Sequence, residues 1–175
     1  MKKFIALALL LIAGCSTHHA RCGAGAALND RDAVIAAATR LFVCTDNRDW
    51  SCVRDVFAAE VLFDMTSLSG GQPEKKTPEQ IANMWEQGLK PIKAIHHQAG
   101  NFQATIRGNE ADLFCYGIAY HYLPNPTGRD TRVFVGSYNY HLVKGAAGWK
   151  IDQFKFNLKF IDGNKDLEGS AKQGQ

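Results

Sequence analysis

Most of the patterns that announce a particular chemistry are missing from this 175-residue sequence. It has no Gly-rich phosphate loop, no CxxC pair, no HxH or HxxxH spacing and no internal repeat. Their absence removes the usual sequence signs of nucleotide binding, dithiol redox chemistry and a histidine metal site. Charge is close to balance, with 20 basic against 17 acidic residues and no basic stripe, so nothing calls for a nucleic-acid partner. Long apolar runs are also lacking. The one candidate, FIALALLLIAG at residues 4–14, is too short to cross a bilayer as a mature helix.

That run follows Met1, Lys2 and Lys3, and together they read as an export signal. Its end, Ile12, Ala13, Gly14 and Cys15, resembles a bacterial lipobox. The resemblance implies cleavage before Cys15, acylation of that cysteine and contact with a membrane through the N-terminal lipid. Because Ser16 follows, the expected location is the bacterial cell envelope, on the outer membrane facing the periplasm. Removal of residues 1–14 takes away two lysines and leaves 161 residues with a net charge of +1. Residues 15–28 are small and polar and are expected to form a tether, in which His18, His19 and Cys22 lack the fixed geometry of a metal site. Residues 163–175 are poor in apolar side chains and are expected to be a flexible tail, leaving one domain over residues 29–162.

Within that domain the apolar period is first helical and then that of strands. Val34, Ile35, Ala38, Leu41 and Phe42 recur at helical spacing after Asn29 and Asp30. Asp49 can cap a second helix carrying Trp50, Val53 and Phe57. The chain then turns extended through EVLFDM. A third helix starts at Thr77, Pro78 and Gln80, a capping box with proline in the first turn, and shows Ile81, Met84, Trp85 and Leu89 on one face. From Lys93 four extended runs follow, separated by Gly, Asn and Pro turns. Three helices before a mostly antiparallel sheet predict an α+β roll, with helices over one face of a curved sheet and a pocket between them.

Parity separates the faces of the later strands. Cys115, Gly117, Ala119 and His121 share one face, and its small residues predict room for a ligand. Ser137 and Asn139 also share a face, among valines, and are expected to orient a ligand in the pocket. The five tyrosines Tyr116, Tyr120, Tyr122, Tyr138 and Tyr140 are expected to pack under the helices. The last run changes phase near Asp152, which predicts a β-bulge there.

The motifs TDNRDW after the first helix, HHQAGN opening the first long strand, AYHY closing the second and GSYNYH in the third resemble the SnoaL-like branch of the NTF2-like superfamily. Their pattern is similar to that of the scytalone dehydratases. The resemblance implies a cone-shaped roll in which Asp46 pairs with His97, His121 is a further histidine supplied by the AYHY strand, and Ser137 and Asn139 hold the substrate. Met65, Ala119 and Trp85 are expected to border the same pocket. Two positions depart from the dehydratase pattern. Where that family carries tyrosines that polarise a carbonyl through water, this chain has Thr45 and Met65.

A carboxylate bonded to one imidazole nitrogen fixes the tautomer and makes the other nitrogen a base near neutral pH. Such a pair, with a second histidine expected at the far wall to protonate a departing hydroxyl, suits elimination of water, or a double-bond shift if the proton is returned elsewhere, with no cofactor and no metal required. The expected partner is a small molecule, either a partly apolar carbonyl substrate or a hydrophobic ligand held by a non-catalytic module of the same fold. A structural subunit is a third reading, and a homo-oligomer through the sheet is a further expectation. Export also places the cysteines where thiols oxidise, and Cys44 and Cys52, flanking the corner between two helices, are expected to form a disulfide.

Overall fold

The computed structural model describes residues 29–172, so the signal, Cys15 and the tether lie outside the described residues. Helix α1 (Asp30–Asp46) begins at Asn29, whose side chain accepts from the Asp32 N–H at 2.9 Å. It buries Val34, Ala38, Leu41 and Phe42 in the spacing the sequence predicts. Helix α2 (Trp50–Val56) begins at Asp49, whose carboxylate accepts from the Cys52 N–H at 2.9 Å. Cys44 and Cys52 are joined by a disulfide, with Cα atoms 5.7 Å apart. Closing so short a loop contributes about 2 to 3 kcal/mol by the chain-entropy account.

Phe57, placed on a helix face by its spacing, instead opens strand β1 (Phe57–Asp64). There follow a single turn, α3 (Thr66–Ser69), a short strand, β2 (Glu74–Lys76), and helix α4 (Pro78–Leu89). In α4 both halves of the Thr77–Gln80 capping box are made. The four long strands are β3 (Ala94–Arg107), β4 (Glu110–Tyr122), β5 (Thr131–Gly145) and β6 (Gly148–Gly163). All six strands form one sheet in the order β2-β1-β6-β5-β4-β3. Only the β1–β6 pair is parallel, and the expected α+β roll is thus the observed architecture.

Bulges bend this sheet around the helices. In β6, Asp152 is the extra residue opposite the His141–Leu142 step, at the position the phase change predicts, and Lys159 is a second extra residue opposite Val135–Gly136. In β3 the register slips between Gly100 and Gln103, where Asn101 takes a left-handed backbone with φ 58°. On the concave side α1, α2 and α4 cover a core that includes Leu41, Val53, Ile81, Leu113 and Phe154.

The small inner face of β4 is not open throughout. Gly117 and Gly136 are cross-strand partners, and the ring of Tyr138 lies where a Cβ on Gly117 would be, 2.3 Å from its Cε2. The room foreseen at Gly117 is therefore filled by an aromatic ring.

Two further expectations are corrected. Tyr116, Tyr120 and Tyr122 do not pack under the helices; they stand exposed on the convex face, because the even residues of β4 point away from the core. The expected flexible tail contains helix α5 (Leu167–Lys172), whose single apolar anchor, Leu167, is fully buried against Ile92 and Ile95. One leucine in a polar stretch leaves no periodicity to read.

Candidate functional site

The corner between α1 and α2 fixes the position of one carboxylate. Asn47 ends α1, and its side chain donates to the Val43 carbonyl at 2.8 Å. Arg48 takes a left-handed backbone, φ 56°, and its guanidinium donates to the carbonyls of Leu89, at 2.9 Å, and Ile92 at the far end of α4. With the disulfide behind it, the last residue of α1, Asp46, is held facing β3.

Asp46 meets His97 twice. Its Oδ2 accepts from the His97 backbone N–H at 2.8 Å, and its Oδ1 lies 2.6 Å from His97 Nδ1. A carboxylate only accepts, so Nδ1 carries a proton, and in the neutral form of the ring the lone pair is on Nε2. Both side chains are largely buried, 17% and 13% exposed. Phe42 stacks on the imidazole with ring centroids 5.2 Å apart and holds its plane. Of the two neighbouring histidines only His97 turns inward; the His96 side chain is 70% exposed, as strand alternation requires.

His97 opens onto a cavity of about 490 Å³ between the helices and the sheet. Met65, Trp85 and Ala119 line it as the sequence predicts, and so does His121. Most of the remaining wall is apolar, including Leu41, Phe63 and Phe156. Among the lining residues, Leu68, Met84 and the Gly70–Gly71 turn are exposed and mark the rim.

The second histidine has a different electrostatic setting. His121 Nδ1 lies 3.3 Å from a terminal nitrogen of Arg132, and Phe134 meets its ring edge to face at 5.1 Å. Burial, with the adjacent Arg132 charge, lowers its pKa from the ordinary 6.5 to about 4, so His121 is neutral over the physiological range. Cys115, on the same strand face, is fully buried, and burial pushes its thiol up to about 12; it is an inert packing residue.

Ser137 and Asn139 are not in this cavity. Asn139 is exposed on the convex face, where it accepts from Asn157 Nδ2 at 2.8 Å. Residues 113, 115 and 117 of β4 pair with 140, 138 and 136 of β5, so odd residues of one strand share a face with even residues of the next. Parity within β5 groups residues correctly but leaves open which group faces inward, and the inner group is Phe134, Tyr138, Tyr140 and Leu142. Arg132 and Tyr138 escape a reading by motif: the first is a lone arginine at a strand start, the second one tyrosine among five.

The SnoaL-like domain family model matches residues 26–155, and the chain belongs to that family. No curated protein matches the sequence at a significant level. Among solved structures, the Kfla4162 protein from Kribbella flavida is similar with a TM-score of 0.73 and 23% identity, over 76% of this chain and 93% of that one. A scytalone dehydratase candidate from Novosphingobium aromaticivorans gives a TM-score of 0.64 at 14% identity, over 76% and 86% of the two chains. The LinA-type3 hexachlorocyclohexane dehydrochlorinase from Novosphingobium barchaimii gives 0.64 at 11%, over 78% and 90%. At these identities the structures share the NTF2-like fold with this chain.

The depressed pKa of His121 makes stability pH-dependent in a defined window. An unfolded chain takes up this proton as the pH falls below 6.5, whereas the folded chain resists until about 4, so folding stability is lost across that interval. Thermal unfolding followed from pH 7 down to pH 4 should show a falling midpoint in the wild type and a smaller fall in His121→Gln; equal slopes would contradict this assignment.

Proposed function

We propose that this protein is a cofactor-independent enzyme of the lyase or isomerase type, acting on a small, partly apolar carbonyl compound. The observation that carries this reading is the buried Asp46–His97 pair opening onto the same apolar cavity as a neutral His121. His97 Nε2 removes a proton from the carbon next to the substrate carbonyl, and Asp46 stabilises the imidazolium so formed. The electron pair moves toward the carbonyl oxygen, where the N–H of neutral His121 supplies a hydrogen bond, as a neutral imidazole can do for an enolate. In elimination the pair then expels a β-hydroxyl, which takes the proton from His97 and leaves as water. In isomerisation the imidazolium returns the proton to another carbon. Either route restores His97, so no redox partner is required. Family membership and fold neighbours described as dehydratase and dehydrochlorinase support this class of chemistry. Thr45 and Met65, standing where the dehydratases carry tyrosines, leave His121 as the polarising group and imply a different substrate.

The reading includes the envelope. The run over residues 4–14 and the Ile12 to Cys15 pattern support a mature protein anchored through an acylated Cys15, with the domain in the periplasm. Intact mass of the membrane fraction should show an acylated N-terminal Cys15; a mature N-terminus elsewhere would remove the anchor.

The catalytic reading is tested with hydroxylated cyclic ketones and related carbonyl compounds. Asp46→Asn keeps the shape but removes the charge, and His97→Ala removes the base. Turnover should fall on the order of a hundredfold to ten-thousandfold, and similarly in the two variants because the pair acts as one unit. Retained turnover in both, on a compound the wild type processes, would overturn the dyad. Ligand binding by all three proteins with no turnover on any compound would favour a non-catalytic binding module.

A further inference from the structure

The segment after β6 is tied to the site through a single arginine. Arg132 is the second residue of β5 and lies directly across from His121 in the sheet. Its guanidinium is clamped by Glu168 of α5 through two bonds, at 2.7 and 2.6 Å, and the same nitrogen that makes the second bond faces His121 Nδ1 at 3.3 Å. Only 15% of the Arg132 side chain and 31% of the Glu168 side chain are exposed. The helix bearing Glu168 is itself pinned, by Leu167 buried against Ile92 and Ile95 and by Asn164, which donates to the Arg129 carbonyl at 3.0 Å.

A guanidinium has N–H groups and no lone pair, so the His121 nitrogen facing it must be the acceptor. In the neutral ring the proton then sits on Nε2. We propose that Glu168, by clamping Arg132, holds His121 in the Nε2–H tautomer, so that helix α5 acts as a positioning element that makes His121 a hydrogen-bond donor rather than a second base. The assignment of work to that donor rests on the proton-transfer reading above; the tautomer itself does not. Arg132 and Glu168 touch no reacting atom, and they act through His121.

The energetics agree in sign. The charged groups that face His121 are Arg132 and His97, which resist its protonation, and Glu168 and Asp46, which favour it. Burial works to raise the Glu168 carboxyl, but its bonds to Arg132 and that residue's charge outweigh burial and hold it below the usual glutamate range. Glu168 therefore stays ionised and keeps the guanidinium in place, while its own charge is largely spent on Arg132.

Imidazole nitrogen NMR on the mature protein tests this without a substrate, with His121 assigned by its loss in His121→Gln. The wild type should show His121 with a bare Nδ1 and a protonated Nε2, unchanged between about pH 5 and pH 8. Arg132→Met and Glu168→Ala should give mixed tautomers, and in Arg132→Met the titration should move toward the ordinary histidine range. Arg132→Lys, which keeps a cationic donor, should restore the bias. An Nδ1–H tautomer in the wild type, or an unchanged tautomer in folded Glu168→Ala, would overturn the proposal, and Glu168→Ala carries the test if Arg132→Met does not fold. On a substrate that the wild type turns over, both variants should lose about tenfold to a hundredfold in kcat with little change in KM. The predicted spectra with no turnover by any protein would leave the tautomer clamp standing and remove the enzymatic reading instead.

Discussion

The two hydrogen bonds from Asp46 to His97, one to the backbone N–H and one to the ring, are the contact on which the site depends. They join the end of the first helix to the first long strand, elements separated by 51 positions in the chain. The backbone bond sets where β3 passes beneath α1, and the ring bond then fixes which imidazole nitrogen is free. Everything in the adjoining corner helps to hold that carboxylate still. Asn47 closes the helix, Arg48 reaches across to the end of α4, Asp49 starts the next helix and the Cys44–Cys52 disulfide ties the two helices together. A dense polar motif between two cysteines is thus a structural joint that also sets the position of Asp46 against His97.

The two histidines that share the cavity are made different by their partners. His97 faces a carboxylate, which accepts from its Nδ1 and sets the orientation of the ring. His121 faces a guanidinium and is largely desolvated, which keeps it neutral. In the proposed mechanism, opposed environments of this kind separate a base from a donor within one apolar cavity. The apolar wall serves both, since hydrogen bonds and charges act more strongly where water is sparse.

Much of this was legible from residue spacing, and the failures have physical causes. The helix caps, the buried face of α1 and the Asp152 bulge follow from local rules, and the structure bears them out. Asp46, His97 and His121 came from motif resemblance; Asp46 pairs with His97, but His121 is the diagonal neighbour of His97 on the adjoining strand of the same sheet face rather than a group on the opposite wall. Ser137 and Asn139 fell on the wrong side because the facing of β5 is set by its register against β4, which is a property of the pair and not of either strand. Valines beside them suggested an interior, yet the larger rings of Tyr138 and Phe156 take it, crossing glycines that leave space for them. Helix α5 was invisible for a different reason. Its docking includes one buried leucine, an ion pair with a residue 36 positions earlier and the bonds of Asn164, contacts that leave no trace in local composition.

Proton abstraction by His97 is the central claim, and its most direct measurement needs no leaving group. Simple cyclic ketones incubated with the protein in deuterated buffer should exchange the hydrogens beside the carbonyl, followed by NMR. The account predicts exchange above buffer with the wild type on at least one such ketone, reduced about a hundredfold or more in His97→Ala. Exchange that survives intact in folded His97→Ala would contradict it.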